Sequence, residues 1–343
     1  MALAERTLAL VDIPSESRQE AELYSYVTSA VPLERVYDDG ESVLFAKRTG
    51  KPLVLLAGHT DTVPEQGNLP GRIEDGWVVG LGASDMKGGL AVMIELARWA
   101  AEADTSYDLA LLFFPREELG PAENPLPSVF ERSDVIDEAR LVICLEPTDN
   151  TLQLGCLGNL NARLRFEGRS AHSARPWTGV NAIALAFEGL RPVLDLEPRD
   201  VTVEGLVFRE VASVTQLHAG VASNVVPALA EANVNFRYAP DRDMASAEAR
   251  IRELLGDAVE IVSHSPGAHV PVESEALEQL RVAGGLEVQP KQAWTNVADF
   301  SARGLDAVNF GPGATRYAHA VDERVEIAAL ERSFEVLRAF LAQ

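Results

Sequence analysis

The stretch LVLLAGHTDTVP, residues 53–64, decides how the N-terminal half of the sequence folds. Its first five residues, Leu53 to Ala57, are apolar or small, and such a run is typical of a strand covered on both faces of a parallel sheet. His59 and Asp61 follow at the end of the run. Side chains two positions apart in an extended chain point to the same side. The stretch therefore predicts a buried strand that presents an imidazole and a carboxylate at its carboxyl end.

Helices and strands alternate on both sides of this strand. Residues 2–11 and 88–103 carry apolar residues at helical spacing, and continuous apolar runs at 108–115 and 139–147 predict two more covered strands. Alternating strands and helices predict an α/β layered sheet, in which functional sites lie at the carboxyl ends of the strands.

Three shorter patterns complete this half of the chain. ESVLFAKR (41–48) is strand-like, and IEDGWVVG (73–80) is typical of a short hairpin. Ser17 and Glu20 have the spacing of a capping box, which predicts that a helix begins there and runs to about Thr28.

The hydrophobic pattern of the sequence changes near residue 158. NLNARLRFEG (159–168) and ALAEANVNFRYAP (228–240) have the amphipathic or alternating patterns of strands, and residues 181–194 and 246–256 have helical patterns. After the Pro-, Gly- and Ser-rich segment 263–274, helix and strand patterns resume. We therefore predict an inserted α+β domain at 159–268, with residues 1–158 and 269–343 forming one discontinuous domain.

Composition excludes several classes of function. The formal net charge of −22 argues against nucleic acid or an anionic membrane as a partner, because the protein's field would repel both. Charged residues interrupt every apolar run that could cross a membrane, and the N-terminus lacks the pattern of a signal peptide. The two cysteines cannot form a disulfide framework, which favours reduced buried thiols and a cytoplasmic protein.

Metal-competent side chains recur where apolar strands end. Any one of them alone would more often be a solvated loop residue or a helix cap than a ligand. Their recurrence after independent strands favours a shared site at one sheet edge. The candidates are His59 and Asp61, Asp85, Glu117 and Glu118, Glu146, and His319.

This set of side chains suits two zinc ions. Two histidines and three carboxylates can give each ion one imidazole and one terminal carboxylate, with Asp85 bridging the pair. A two-metal site can polarise a carbonyl and activate water. Glu117, the neighbour of the ligand Glu118, would then be the general base that carries a proton from the attacking water to the leaving amine. Asp61 would hold His59 in the required tautomer.

The motifs that carry these residues resemble those of the M20 metallopeptidase family. GHTDTVP (58–64), GLGASDMKGG (80–89), PREELG (115–120), LEP (145–147) and AHAVDE (318–323) occur in the order of that family and extend over nearly the whole chain. The resemblance implies a zinc-peptidase-like catalytic domain interrupted by a lid domain that mediates homodimerisation. It also implies that His59 and Glu146 bind one zinc and Glu118 and His319 the other, with cobalt as an alternative metal.

The resemblance further implies a role for His172, and the sequence offers Asn224 and Arg237 of the inserted domain and Thr295 outside it as substrate-binding candidates. His172, which on sequence alone would be taken for a surface loop residue, would hydrogen-bond the oxyanion of the reaction intermediate from the partner subunit. Asn224 would donate a hydrogen bond to the substrate, and Thr295 would contact a substrate carboxylate. Arg237 would either bind a carboxylate bidentately or form a salt bridge at the edge of the lid.

The stretches WTNVADF (294–300) and AVNFGPG (307–313) are most similar to the branch that removes the succinyl group from N-succinyl-LL-2,6-diaminopimelate, a step towards lysine. Asn296 departs from that branch, whose members commonly have an acidic residue or a Ser- and Gly-rich loop there. Acetylornithine deacetylation, aminoacylase and dipeptidase activity remain alternatives. A non-catalytic relative is disfavoured because all seven residues of the site are present. A nicotinamide-dependent enzyme is disfavoured because GLGASD (80–85) has Asp85 where a dinucleotide fingerprint has its third glycine.

Overall fold

The computed structural model describes residues 2–342. The chain divides into two compact units. Unit 1 comprises Met1–Gly155, Pro271–Gln289 and Asp299–Gln343, and unit 2 comprises Cys156–Val270 and Pro290–Ala298. The prediction placed residues 290–298 in the discontinuous outer domain, whereas the structure places them in unit 2. The reason is local hydrogen bonding: the Gln292 amide donates to Val207 O at 2.8 Å and accepts from Arg209 N at 3.0 Å.

Nine α-helices occur within residues 2–342. They are α1 (Leu3–Val11), α2 (Ala21–Ala30), α3 (Gly88–Glu102), α4 (Leu126–Arg132), α5 (Ala182–Leu194), α6 (Met244–Leu255), α7 (Glu275–Gly284), α8 (Val297–Ala302) and α9 (Ile327–Ala342). The helices predicted from periodicity at 2–11 and 88–103 are confirmed as α1 and α3. None of the nine is long and apolar enough to span a lipid bilayer.

The same residues form eighteen strands. They are β1 (Glu34–Asp38), β2 (Val43–Lys47), β3 (Leu53–His59), β4 (Arg72–Glu74), β5 (Trp77–Val79), β6 (Asp108–Phe114), β7 (Ala139–Cys144), β8 (Leu152–Leu154), β9 (Gly158–Glu167), β10 (Ala171–His172), β11 (Arg199–Val203), β12 (Leu206–Ala219), β13 (Val225–Val226), β14 (Leu229–Tyr238), β15 (Glu260–Ser265), β16 (Val288–Pro290), β17 (Ala307–Asn309) and β18 (Arg324–Glu326).

Unit 1 is built on a mixed sheet with the order β1-β2-β6-β3-β7-β17-β8-β16. Its centre is parallel, since β3 pairs in parallel with both β6 and β7, and β7 pairs in parallel with β17. Every residue of β3 and of β6 is buried, as their apolar sequences predict for covered strands. The α/β layered fold is therefore confirmed. Antiparallel strands β2 and β8 flank the parallel centre, an addition that apolar patterning does not reveal.

The capping box predicted at Ser17 and Glu20 is wrong. Helix α2 begins at Ala21, and its N-cap Glu20 makes no side-chain capping hydrogen bond. Ser17 instead donates from Oγ to the Asp61 carboxylate at 2.7 Å. The Ser17 hydroxyl therefore bonds to a residue that is distant in the sequence, and local spacing cannot predict such a contact.

Unit 2 contains a five-stranded antiparallel sheet with the order β11-β12-β14-β9-β15. After the exposed Leu229, residues of β14 alternate between buried and half-buried, which fits an antiparallel strand with one covered face. Helices α5 and α6 pack with the buried side chains of β9 and β14 around one apolar core. On the opposite face, the side-chain amides of Asn233 and Asn235 on β14 both donate to Asn161 Oδ1 on the neighbouring strand β9.

Candidate metal centre

The parallel strands of unit 1 bring their carboxyl ends to one edge of the sheet. His59 is the last residue of β3 and lies opposite Phe114, the last residue of β6. Ala57 of β3 lies opposite Cys144, the last residue of β7. The segments that leave β6 and β7 therefore carry Glu117, Glu118 and Glu146 to the edge where His59 lies. The register of the sheet thus brings side chains that are far apart in the sequence to the same edge.

Two further segments bring Asp85 and His319 to this edge. Asp85 lies in the turn between β5 and α3, which begins at Gly82 in a left-handed conformation (φ +76°). A Cβ at Gly82 would also lie 2.7 Å from Thr62 Cγ2, so this close approach requires glycine. His319 follows β17 and has a φ of +59°, which is uncommon for a residue with a side chain.

Within residues 2–342, three groups of ligand atoms lie close enough to hold an ion. The atoms within each group are no more than 4.8 Å apart, and the groups overlap. They are His59 with Asp85 and Glu146, Asp85 with Glu118 and His319, and His59 with Glu117 and Glu118. The first two are the sets predicted for two ions that share Asp85. The third group contains Glu117 itself, so its position also fits the role of a metal ligand, besides that of a general base.

The two oxygens of Asp85 face different histidines. Oδ1 lies 3.1 Å from His59 Nε2, and Oδ2 lies 3.5 Å from His319 Nε2. His319 Nε2 also lies 3.0 Å from Glu118 Oε1. Tetrahedral coordination at about 2.1 Å requires ligand atoms roughly 3.4 Å apart, so nitrogen and oxygen atoms at these separations fit zinc. The arrangement of Asp85 is that of a carboxylate able to bridge two cations.

Besides His59, Asp61 contacts the backbone of the neighbouring glutamates, which the sequence does not indicate. Its Oδ1 accepts from Glu117 N at 3.0 Å, and its Oδ2 accepts from Glu118 N at 3.2 Å. His59 Nδ1 lies 3.1 Å from the Asp61 carbonyl oxygen and 3.4 Å from the carboxylate. The nearer partner for the imidazole is thus the backbone oxygen, and the carboxylate mainly fixes the loop that carries both glutamates.

The charges of the cluster shift the protonation of its members strongly. Burial raises the pKa of Glu117 well above its ordinary value, and the neighbouring carboxylates of Glu146, Glu118 and Asp85 raise it further against the opposing effect of His59. Hydrogen bonds to Asp85 and Glu118 raise the pKa of His319 to about 10. A raised carboxyl pKa at a cluster of acids is the condition for a group that exchanges protons near neutral pH.

Sequence reasoning missed a buried carboxylate beside this centre. Glu323 is 1% exposed and accepts hydrogen bonds from the backbone N–H groups of Gly82, Ser84 and Asp85. Burial raises the pKa of its carboxyl to about 7, although these N–H groups act to lower it. Its proximity to His319 in AHAVDE (318–323) is the only signal in the sequence, and that signal does not distinguish it from a surface acid.

His172 and Asn224 lie together in unit 2. Strand β10 pairs with β13, and Ser173 N donates to Asn224 O at 2.9 Å. Both His172 and Asn224 are exposed, and among the described residues the His172 ring makes one hydrogen bond, in which Nδ1 accepts from Ala174 N at 3.1 Å. Their side chains are therefore available to a ligand, and their predicted roles stay predictions.

Arg237 and Thr295 have different surroundings in unit 2. Arg237 Nε donates to Asn235 Oδ1 at 3.0 Å, and among the described residues no carboxylate lies within ion-pair distance of it. Burial lowers the pKa of this guanidinium. Arg237 lines a cavity of about 370 Å³, together with Leu157, Asp200, Val207, Arg209, Val211 and Gln292. Thr295 is 3% exposed, and its role also stays a prediction.

Comparison with known proteins identifies relatives over nearly the full length of the chain. The model of the peptidase family M20/M25/M40 matches residues 55–343. A Mycobacterium tuberculosis protein named "Putative succinyl-diaminopimelate desuccinylase DapE" is 38% identical over 98% of this chain and 97% of its own length. A Corynebacterium glutamicum succinyl-diaminopimelate desuccinylase is 35% identical over 98% of this chain and 95% of its own.

The fold has close structural counterparts at lower sequence identity. The crystal structure of the aminopeptidase PepT from Bacillus cereus superposes with a TM-score of 0.79, covering 99% of this chain and 97% of that one. The two sequences are 19% identical. At this sequence identity, the similarity shows only that the two proteins share a fold.

Proposed function

This chain belongs to peptidase family M20/M25/M40 and is a hydrolase of amide bonds, and on that premise we propose that it removes the succinyl group from N-succinyl-LL-2,6-diaminopimelate with two zinc ions. The products are succinate and LL-diaminopimelate, and the proposed location of this biosynthetic step is the cytoplasm. The observation that carries the two-metal proposal is the orientation of Asp85, whose two oxygens face two different histidines.

The residues of unit 1 supply a complete set of ligands for this proposal. His59 and Glu146 would hold one zinc, Glu118 and His319 the other, and Asp85 both. When bound, the ions supply Lewis acidity that polarises the substrate carbonyl and favours ionisation of water. Cobalt, which accepts the same nitrogen and oxygen ligands, is the alternative metal.

Glu117 is proposed to move the proton. An ionised Glu117 accepts a proton from the attacking water at its carboxylate, and the resulting carboxylic acid donates that proton to the nitrogen of the departing amine. Asp61 holds the Glu117 backbone in place through the 3.0 Å hydrogen bond to its N–H.

Dimerisation through unit 2 is part of the proposal and is supported by two exposed features. Helix α5 presents Phe187 with 58% and Leu194 with 57% of their surface exposed. In strand β12, residues 211–219 pair with β14 along one edge, and within residues 2–342 no strand pairs with their other edge. An exposed apolar helix face and an open strand edge are the features that a second copy of the same chain would cover.

In such a dimer, His172 would donate a hydrogen bond to the oxyanion in the partner's active site. We expect His172→Ala to lower kcat by about 10²–10³-fold, the cost of one such donor, without loss of bound metal. Mixing His172→Ala with Glu117→Gln subunits should then restore about a quarter of the wild-type rate, because each mixed dimer has one intact site. The rate after subunit exchange measures this, and an unrestored rate would place His172 in its own subunit's site.

Arg237 is proposed to bind a carboxylate of the substrate. Its guanidinium is half-buried, has no carboxylate partner among the described residues and lines the cavity of unit 2. The substrate carries several carboxylates, and a planar guanidinium binds a carboxylate through two parallel hydrogen bonds. An apolar wall of Leu157, Val207 and Val211 beside it would suit the methylene chain of such a ligand.

Replacing Arg237 should therefore weaken substrate binding. We expect Arg237→Ala to lower kcat/KM for the succinylated substrate by about 10–150-fold, the value of a charge-assisted hydrogen bond, mainly through KM. Arg209→Ala is the matched control, since Arg209 lines the same cavity but is paired with Asp200 at 2.8 Å. Equal effects of the two substitutions on KM would contradict a specific role for Arg237.

A panel of substrates tests the proposed function directly. The purified protein with two equivalents of Zn²⁺ is given N-succinyl-LL-diaminopimelate, N-acetylornithine, an N-acetylated neutral amino acid and a dipeptide, and the released amine is quantified. The succinylated compound should have the highest kcat/KM. A higher value for another compound would assign the chain to a different activity in the family, and hydrolysis of none would favour a non-catalytic relative.

A further inference from the structure

Glu323 joins the two segments that carry Asp85 and His319. Its Oε2 accepts from Gly82 N at 2.7 Å, and its Oε1 accepts from Ser84 N at 3.0 Å and from Asp85 N at 2.9 Å. The third of these donors belongs to the residue whose carboxylate faces both histidines. One buried carboxylate thus fixes the backbone from which the Asp85 side chain projects.

The connection from Glu323 back to His319 is short and internally bonded. Glu323 N donates to Ala320 O at 3.1 Å, and Ala320 N donates to Tyr317 O at 3.3 Å, so the segment that contains His319 is a series of tight turns. Gly80 N donates to Glu323 O at 2.9 Å and ties this segment to the strand that precedes the Asp85 turn. A shift of Glu323 would therefore change the separation of Asp85 and His319.

A second link between the same two segments is formed by Ser84. Its hydroxyl, which is buried, donates to Ala314 O at 3.0 Å and accepts from Ala314 N at 2.8 Å. Gly313 packs so closely here that an added Cβ would lie 2.1 Å from Ser84 O. The Asp85 turn is thus held against the chain before His319 as well as the chain after it.

From this geometry we propose that Glu323 is a positioning residue for the metal pair, which sets the distance between the Asp85 carboxylate and the His319 imidazole. It is not a ligand itself, because its carboxylate is occupied by three backbone N–H groups. The inference rests on the proposed two-metal function. Residues that orient ligands typically change metal affinity by about 10–100-fold when replaced.

The test compares Glu323→Gln with the wild-type protein in metal binding alone. Gln keeps the size of the side chain but turns an N–H₂ group toward one of the backbone donors. We expect the affinity for Co²⁺ and Zn²⁺, measured by competition with a chromophoric chelator, to fall by about 10–100-fold. The visible absorption of bound Co²⁺ should also change in Glu323→Gln, because the ligand geometry around the ion changes.

Asp108→Asn is the matched control. Asp108 is also buried in unit 1 and accepts from three backbone N–H groups, those of Thr49, Gly50 and Lys51, at the opposite end of β6 from the metal centre. Both substitutions should lower the thermal unfolding midpoint of the metal-free protein, and only Glu323→Gln should change metal affinity and the Co²⁺ spectrum. Unchanged affinity and spectrum in Glu323→Gln would overturn the proposal.

Two further results separate the possible failures. If Glu323→Gln does not fold, Ser84→Ala weakens the second link between the same segments and should lower Co²⁺ affinity, and wild-type affinity in Ser84→Ala would then overturn the inference. If the wild-type protein binds neither Co²⁺ nor Zn²⁺, the proposed two-metal function itself fails. A wild-type protein that binds both ions and a Glu323→Gln variant that matches it would leave the proposed function intact and refute only the role of Glu323.

Discussion

Glu117→Gln is expected to lower kcat for amide hydrolysis by about 10²–10⁴-fold, with the metal content near that of the wild type. This loss corresponds to about 2.7–5.4 kcal/mol of transition-state stabilisation. Glutamine has the size of glutamate and keeps an oxygen, but it cannot accept and return a proton. The backbone of residue 117 should stay in place, because Asp61 Oδ1 holds its N–H at 3.0 Å and this bond does not depend on the side chain.

Glu118→Gln provides the matched control, since the two glutamates are adjacent and Asp61 holds both backbones. Glu118 Oε1 lies 3.0 Å from His319 Nε2, so its replacement should weaken metal binding as well as turnover. Metal analysis by atomic emission, together with kcat at saturating substrate, distinguishes the two effects. If Glu117→Gln lost metal to the same extent as Glu118→Gln, Glu117 would be a ligand, as its place in the third ligand group allows.

The strands and the residues at their ends could be predicted from the sequence for a physical reason. Buried parallel strands must be apolar throughout, and their carboxyl ends meet at one edge, so a polar side chain directly after such a run has a known location. LVLLAGH and DLALLFF satisfy this condition, and β3 and β6 pair in parallel with His59 opposite Phe114. The sequence could not show that β2 pairs antiparallel to β6, because both directions need the same apolar side chains.

Contacts that hold the ligands in place could not be predicted in the same way. Ser17 bonds to Asp61 across 44 positions in the sequence, and Glu323 bonds to Gly82 across 241 positions. Neither residue belongs to a periodic pattern, and local spacing suggested a helix cap for Ser17. Such partners become visible only when the tertiary structure brings the loops together, because a hydroxyl or carboxylate can satisfy many different donors.

Removal of the metal ions is expected to abolish hydrolysis, and adding Zn²⁺ back should restore the rate. Dialysis against a chelator should lower turnover by about 10³-fold or more, since the ions supply several kcal/mol of charge stabilisation. Adding Zn²⁺ should restore the rate as occupancy rises to two ions per chain. The titration of kcat against added Zn²⁺, read beside the bound metal measured in the same samples, checks this. Full activity with one tightly bound ion would contradict the two-metal proposal.

The arrangement of Asp85 predicts which ligands affect one ion and which affect both. Asp85 belongs to two ligand groups, the one with His59 and Glu146 and the one with Glu118 and His319. Asp85→Ala removes an oxygen from both groups, so both ions should bind more weakly. His319→Ala removes a nitrogen from one group only, and His59→Ala removes one from the other, so each should leave one ion at nearly wild-type affinity. Calorimetric titration with Zn²⁺ distinguishes a loss of two binding events from a loss of one. If Asp85→Ala lost a single ion, the Asp85 carboxylate would serve one cation only, and the bridging arrangement would be refuted.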